Sequence, residues 1–145
     1  RGGGTAATGL RIAMDNLKIL LVDLPADSDI HERSAKTEVE VTALSQMEAE
    51  LQSKIATGEN IGPGSSLMKN IASMLGQQIA ALRLEAMAYY GIPHNNLLWL
   101  NGKEGVGIES SQTAIGSYLN TRASSIYGGS REVQKNIIAK TVLGL

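Results

Sequence analysis

The stretch Arg122 to Lys140, RASSIYGGSREVQKNIIAK, joins two helical patterns through Tyr127-Gly128-Gly129-Ser130. Adjacent glycines admit positive φ and let a backbone or ligand come close, which a Cβ resists. Ser130 has the chemistry of an N-cap, because its hydroxyl can accept from an amide of the next turn. Glu132 then puts a carboxylate into that first turn, where the positive end of the helix dipole favours it. The spacing therefore predicts a helix that starts at the Gly-Gly corner. Its first amides lack intrahelical partners, so the corner is either a tight helix-to-helix turn or a seat for phosphate or pyrophosphate.

Upstream, the same helical periodicity recurs. From Thr5 to about Leu24, Leu10, Met14, Leu17, Leu21 and Leu24 fall at steps of three and four, one face of a helix that Pro25 ends. Asp29-Ile30-His31-Glu32 has capping-box spacing, so a second helix is expected to start there with Asp29 as N-cap. Its seam reads Thr37, Val41, Leu44, Met47 or Glu48, Leu51 and Ile55, with Gly58 as a left-handed cap. Pro63 stands near the start of a third helix whose stripe is Leu67, Ile71, Met74, Leu75, Ile79, Leu82 and Ala86; Gly91 and Pro93 stop it.

Residues 92–110 are the longest irregular stretch, and a loop of this length in a compact domain carries function or moves. Leu97, Leu98, Trp99 and Leu100 are expected to anchor it on the helices. Ser111 to Tyr127 reads as a fourth helix and Ser130 to about Val142 as a fifth. Amphipathic helices must bury their stripes against each other. The expected fold is all-α, an antiparallel four-helix bundle with an additional short C-terminal helix, forming one domain over residues 1–145.

Composition narrows the function classes. A net charge of -1 with interspersed signs gives no basic stripe for nucleic acid. The absence of cysteine removes disulfides, thiolate metal sites and a Cys nucleophile. No apolar run approaches the ~20 residues of a membrane span, and no signal-peptide region opens the chain. The start at Arg1 without a Met suggests a piece of a longer polypeptide. His31 and His94 have no metal-spaced partner and Glu-x-x-His does not occur, so no metal site is expected and both read as surface. Gly2-Gly3-Gly4 reads as close packing; Met14, Met47, Met68, Met74 and Met87 as core filler; Tyr118 as packing. Glu32, Glu38, Glu40, Glu48 and Glu50 read as a solvated helix face.

Arg122-Ala123, Ile126-Tyr127, Gly128-Gly129, Ser130, Glu132, Val133 and Gln134-Lys135, followed by Asn136 to Lys140, resemble in order the C-terminal signature of acyl-CoA dehydrogenases. The likeness runs back over nearly the whole chain. It implies the C-terminal bundle of an enzyme that also has helical and β domains, binds FAD and oxidises an acyl-CoA thioester at its α,β carbons. A Glu takes the α proton, a hydride goes to the flavin, and electrons pass to an electron-transfer flavoprotein. The same likeness implies a homodimer or homotetramer joined through the bundle. The bacterial-type tail implies a cytoplasmic protein, with the mitochondrial matrix as the alternative compartment.

Carried over residue by residue, the resemblance puts Ser130, Gly129 and Glu132 against the adenosine and pyrophosphate part of FAD, and Arg1, Tyr127 and Gly128 beside the acyl site. Gly128 occupies the position of the base in several members, so this chain holds no catalytic residue there; in other members the Glu precedes an Arg resembling Arg1. Alone, the fragment is expected to be inactive. Two flavin-contact motifs are altered: Ala88-Tyr89-Tyr90-Gly91-Ile92 replaces Gln-x-x-Gly-Gly, and the chain contains no Phe for Arg-x-x-Phe-Gly. These departures favour a non-catalytic assembly module or partner subunit as the competing reading, with an acyl-CoA oxidase-like relative as a third.

Overall fold

A computed structural model describes residues 6–93 and 109–144. Within them run five α-helices: α1 (Ala6–Leu21), α2 (Asp29–Ala56), α3 (Gly64–Ala86), α4 (Ala114–Arg122) and α5 (Arg131–Leu143). No strand occurs among the described residues, so the all-α expectation holds. The first three helices each pack on the other two, and α4 and α5 lie against α3. The core follows the sequence stripes: Met14, Leu17 and Leu21 of α1 meet Ile30, Val41 and Leu44 of α2 and Leu75, Ile79 and Leu82 of α3. Each such side chain contributes roughly 1.5–3 kcal/mol when fully buried.

One polar pair crosses this core. Thr37 is completely buried; its hydroxyl donates to the Arg33 carbonyl at 2.8 Å and accepts from Gln78 Nε2 at 2.7 Å. Both capacities of the hydroxyl are used, which removes the cost of burying it. Exposed ion pairs, Lys18 with Glu38 and Arg33 with Glu85, link α2 to its neighbours and add little in open solvent.

Helix ends depart from the periodicity. α1 stops at Leu21, and the Leu24 amide closes a turn on the Leu21 carbonyl at 3.1 Å. Ser28 rather than Asp29 is the N-cap of α2, without a side-chain bond, so the capping box does not form. Asp29 and Glu32 instead pair one turn on with Arg33 and Lys36. Gly58 takes φ 77°, as a left-handed cap requires. The fourth helix is shorter than its pattern: after Arg122 the chain tightens into a 3-10 turn, Ala123–Ser125. There Ser124 and Ser125 hydroxyls donate back to the Thr121 and Arg122 carbonyls at 2.6 and 3.0 Å, offering the backbone an alternative to the α ladder.

Met14 and Met87 are buried as core filler, whereas Met74 and Leu67 lie exposed and Ser66 and Ser73 take the buried places on α3. Gly91 ends a 3-10 turn and is needed for close packing: a Cβ there would meet Leu84 Cδ1 at 2.9 Å and the Leu84 carbonyl at 3.2 Å. The positive φ of that corner falls on Ala88, at 46°. Arg1, Gly2 to Gly4, His94 and the Leu97 to Leu100 anchor lie outside the described residues.

Leu17 is 0% exposed. Leu17→Ala should lower unfolding stability in urea by about 2–5 kcal/mol. Ile12→Ala, on the exposed face of the same helix, should stay within about 0.5 kcal/mol.

Candidate functional site

The Gly-Gly corner has the conformation its glycines permit: φ is 69° at Gly128 and 95° at Gly129. A Cβ on Gly129 would run into the Gln134 side-chain amide, while one on Gly128 would meet nothing within 4 Å. Ser130 is the N-cap of α5, accepting the Val133 amide on its hydroxyl at 3.3 Å. Gln134 Nε2 folds back to donate to the Gly128 carbonyl at 3.3 Å, and Lys69 Nζ of α3 donates to the Gly129 carbonyl at 2.6 Å. The corner is thus closed from its own helix and pinned from α3.

Glu132 stands exposed in the first turn of α5. Its own backbone amide, then the Ser130 hydroxyl, hold its carboxyl below the usual carboxylate range, with Lys135 and Arg131 adding to the effect. The helix terminus is therefore partly occupied by a negative charge of its own.

The turn before the corner is fastened by a second set of contacts. Gln77 Nε2 donates to the Thr121 carbonyl at 3.1 Å, and Arg122 donates back to the Gln77 carbonyl at 2.8 Å. The Arg122 guanidinium sits 4.4 Å above the Tyr118 ring, a cation–π contact that keeps the side chain directed at α3. Tyr118 packs as expected.

Between α1, α2, α3 and this corner lies a cavity of about 510 Å³. Leu10, Leu51, Met68 and Ala72 give it apolar walls, and Glu48, Lys69, Ser124 and Tyr127 place polar atoms in it. Glu48 corrects the sequence reading. It is 7% exposed, not on a solvated face, and its Oε2 accepts the Ala7 amide of α1 at 3.1 Å. Glu40 and Glu50 are exposed as expected, and Glu50 pairs with Lys54. The signal for Glu48 was the spacing 37, 41, 44, 48 along the α2 seam, which selects it over Met47. For Lys69 and Gln77 no local signal existed, since both act on carbonyls more than 40 residues away.

Of the residues singled out from sequence, Tyr127 lines the cavity, while Gly128, Gly129, Ser130 and Glu132 form the adjoining corner and helix terminus. Arg1 lies outside the described residues. His31 is half-buried near the start of α2 rather than on the surface, with Nε2 enclosed. Among the described residues no three His, Asp or Glu side chains cluster closely enough to hold a metal ion.

Residues 21–143 match the family described as acyl-CoA dehydrogenase, C-terminal domain. The chain is similar to the acyl-CoA dehydrogenase IpdE1 of Mycobacterium tuberculosis, 42% identical over 67 residues that cover 35% of this chain and 17% of that protein. It is also similar to the IpdE1 of Mycolicibacterium smegmatis, 68% identical over 28 residues that cover 19% of this chain and 7% of that one. The matches thus span less than a fifth of either relative.

Two consequences of the corner are measurable. Gly129→Val forces a β-branched residue to φ 95° and against Gln134, and should cost about 1–3 kcal/mol in urea unfolding; an unchanged midpoint would contradict the strain. Because the Glu132 carboxyl titrates below its ordinary value of 4.5, the stability it lends to α5 is fully present above that value. It is lost as pH falls through the lowered folded value. Amide exchange at Glu132, corrected for intrinsic rates, should therefore lose protection as pH falls below 4.5, and Glu132→Gln should abolish that pH dependence.

Proposed function

The chain belongs to the acyl-CoA dehydrogenase family of oxidoreductases, and from that membership we propose that residues 1–145 are the C-terminal helical domain of an FAD-dependent enzyme. The enzyme removes hydrogen from the α and β carbons of an acyl-CoA thioester. The observation that carries this reading is the cavity of about 510 Å³ beside Tyr127, apolar along α1 to α3 and polar toward the corner. Its size suits an acyl group, and its polar groups are few, as in sites that orient an apolar ligand.

Tyr127 and Gly128, with Arg1, flank the acyl group in this proposal. Gly128 has no side chain to take a proton, and the resemblance to members whose Glu precedes an Arg like Arg1 supports a carboxylate on the residue before Arg1 as the base. A bound flavin would supply the acceptor for the β hydride, and an electron-transfer flavoprotein would be the onward acceptor. Gly129, Ser130 and Glu132 would hold the adenosine end of FAD. Gly128 leaves open space for approach, but the carboxylate of Glu132 opposes a second anion at the same terminus. The residues present therefore fit an adenosine hydroxyl or amine donor better than the pyrophosphate.

Val133 and Ile137, one turn apart on the same face of α5, are exposed, an apolar face consistent with a homodimer or homotetramer. The same face and the missing carboxylate at position 128 favour the second reading, a non-catalytic assembly module. The bacterial-type tail supports a cytoplasmic protein. No helix among the described residues is long and apolar enough to cross a membrane.

The deciding experiment uses the full-length protein that carries this domain. A flavin absorption band that bleaches on adding acyl-CoA anaerobically, and loss of bleaching when the carboxylate before Arg1 is changed to its amide, are the expected results. Efficient reoxidation by oxygen would move the assignment to an acyl-CoA oxidase. A colourless protein that takes up no added FAD yet sediments as a dimer or tetramer would establish the assembly module instead.

A further inference from the structure

The first amides of α1 have no intrahelical partner. Its first turn contains no acidic residue, although the positive end of the helix dipole and the unpaired N–H groups there call for an acceptor. The acceptor comes from α2. Glu48, 41 residues away in sequence, presents Oε2 to the Ala7 amide at 3.1 Å, and both residues are buried, at 7% and 3% exposure. Among the described residues no Lys, Arg or His lies within ion-pair distance of Glu48. A buried carboxylate needs compensation, and here the helix terminus provides it.

The two partners also share a function in shape. Ala6 and Leu10, on either side of Ala7, form one wall of the large cavity, and Glu48 forms part of the facing wall. Lys69 and Tyr127 stand at the same cavity, so a shift of the first turn of α1 changes the space next to the corner. Apolar packing at this end comes from small Ala7 and half-buried Leu10, neither of which fixes the direction of the first-turn amides as a hydrogen bond does.

We propose that Glu48 is a positioning residue, a buried N-cap delivered across the bundle that fixes the first turn of α1 and thereby the wall of the acyl cavity. It does not exchange protons with the substrate. Its role in catalysis rests on the reading of the cavity as the acyl site; its role as a clasp does not.

The test compares Glu48→Ala, Glu48→Gln and Leu44→Ala in the full-length protein, with amide exchange across α1 and steady-state kinetics on acyl-CoA as readouts. Glu48→Ala should speed exchange at Ala7 about tenfold or more, the scale of a lost charge-assisted hydrogen bond. It should lower kcat/KM by a similar factor. Glu48→Gln keeps a side-chain carbonyl for the Ala7 amide and should restore both to within about threefold. Leu44→Ala removes a core side chain without touching the clasp, so it should lower the melting temperature and leave kcat/KM within about threefold. Unchanged Ala7 exchange in Glu48→Ala overturns the clasp; faster exchange with unchanged kcat/KM overturns its role at the cavity. A full-length protein with no acyl-CoA activity would instead refute the proposed function, and the exchange data would still decide the clasp.

Discussion

Everything in this bundle has to agree with α3. It is the helix against which the other four pack, and it does so with two kinds of contact on different sides. Its apolar stripe, Leu75, Ile79 and Leu82, closes the core with α1 and α2. Its long donors work elsewhere: Lys69, Gln77 and Arg83 reach the carbonyls of Gly129, Thr121 and Ser110. Those carbonyls belong to turns and helix ends, where the backbone has no ladder partner of its own. A single helix thus supplies apolar cover for one half of the chain and hydrogen bonds for the other. The C-terminal elements are short and bury little, since α5 has no fully buried residue, so directional contacts set their position.

The polar groups inside the bundle follow the same division. Thr37 and Gln78 meet in the middle, where a shift of α2 against α3 would strand a hydroxyl and an amide, so the pair specifies their register. Glu48 and the Ala7 amide meet at the end, beside the cavity. In each case a group costly to bury unpaired sits where apolar contacts alone would tolerate sliding. Removing one partner is therefore more damaging than the modest net strength of a hydrogen bond suggests.

This division explains what the sequence disclosed. Periodicity reports apolar faces, so the α1 stripe from Met14 to Leu21 and the α2 stripe from Thr37 to Leu44 were legible, and so were Gly58 and Ser130, whose roles are local. The Asp29 capping box was not a reliable guide, because a carboxylate in the first turn can pair forward with Arg33 as readily as it caps. Serines misled in the opposite direction: Ser66 and Ser73 are buried on α3 while Leu67 and Met74 face outward. Ser124 and Ser125 end α4 early by bonding to their own backbone. Glu48 was hidden by its chemistry, since a charge on a helical seam is read as exposed until its partner is known. That partner is a backbone amide on another helix, which has no signature in the side-chain sequence.

The corner itself separates two reasons for a glycine. Gly129 is bound by conformation, at φ 95°, and a Cβ there would also push aside the flexible end of the Gln134 side chain. Gly128 is bound by conformation alone, at φ 69° with open space around it. A side chain at 128 would cost about 1–2 kcal/mol for the left-handed backbone and would displace nothing. Packing within this bundle therefore does not forbid a carboxylate at position 128. With glycine at 128 the corner keeps an unstrained backbone and an open approach, so its geometry is the same whether or not the neighbouring cavity needs a proton acceptor from this position.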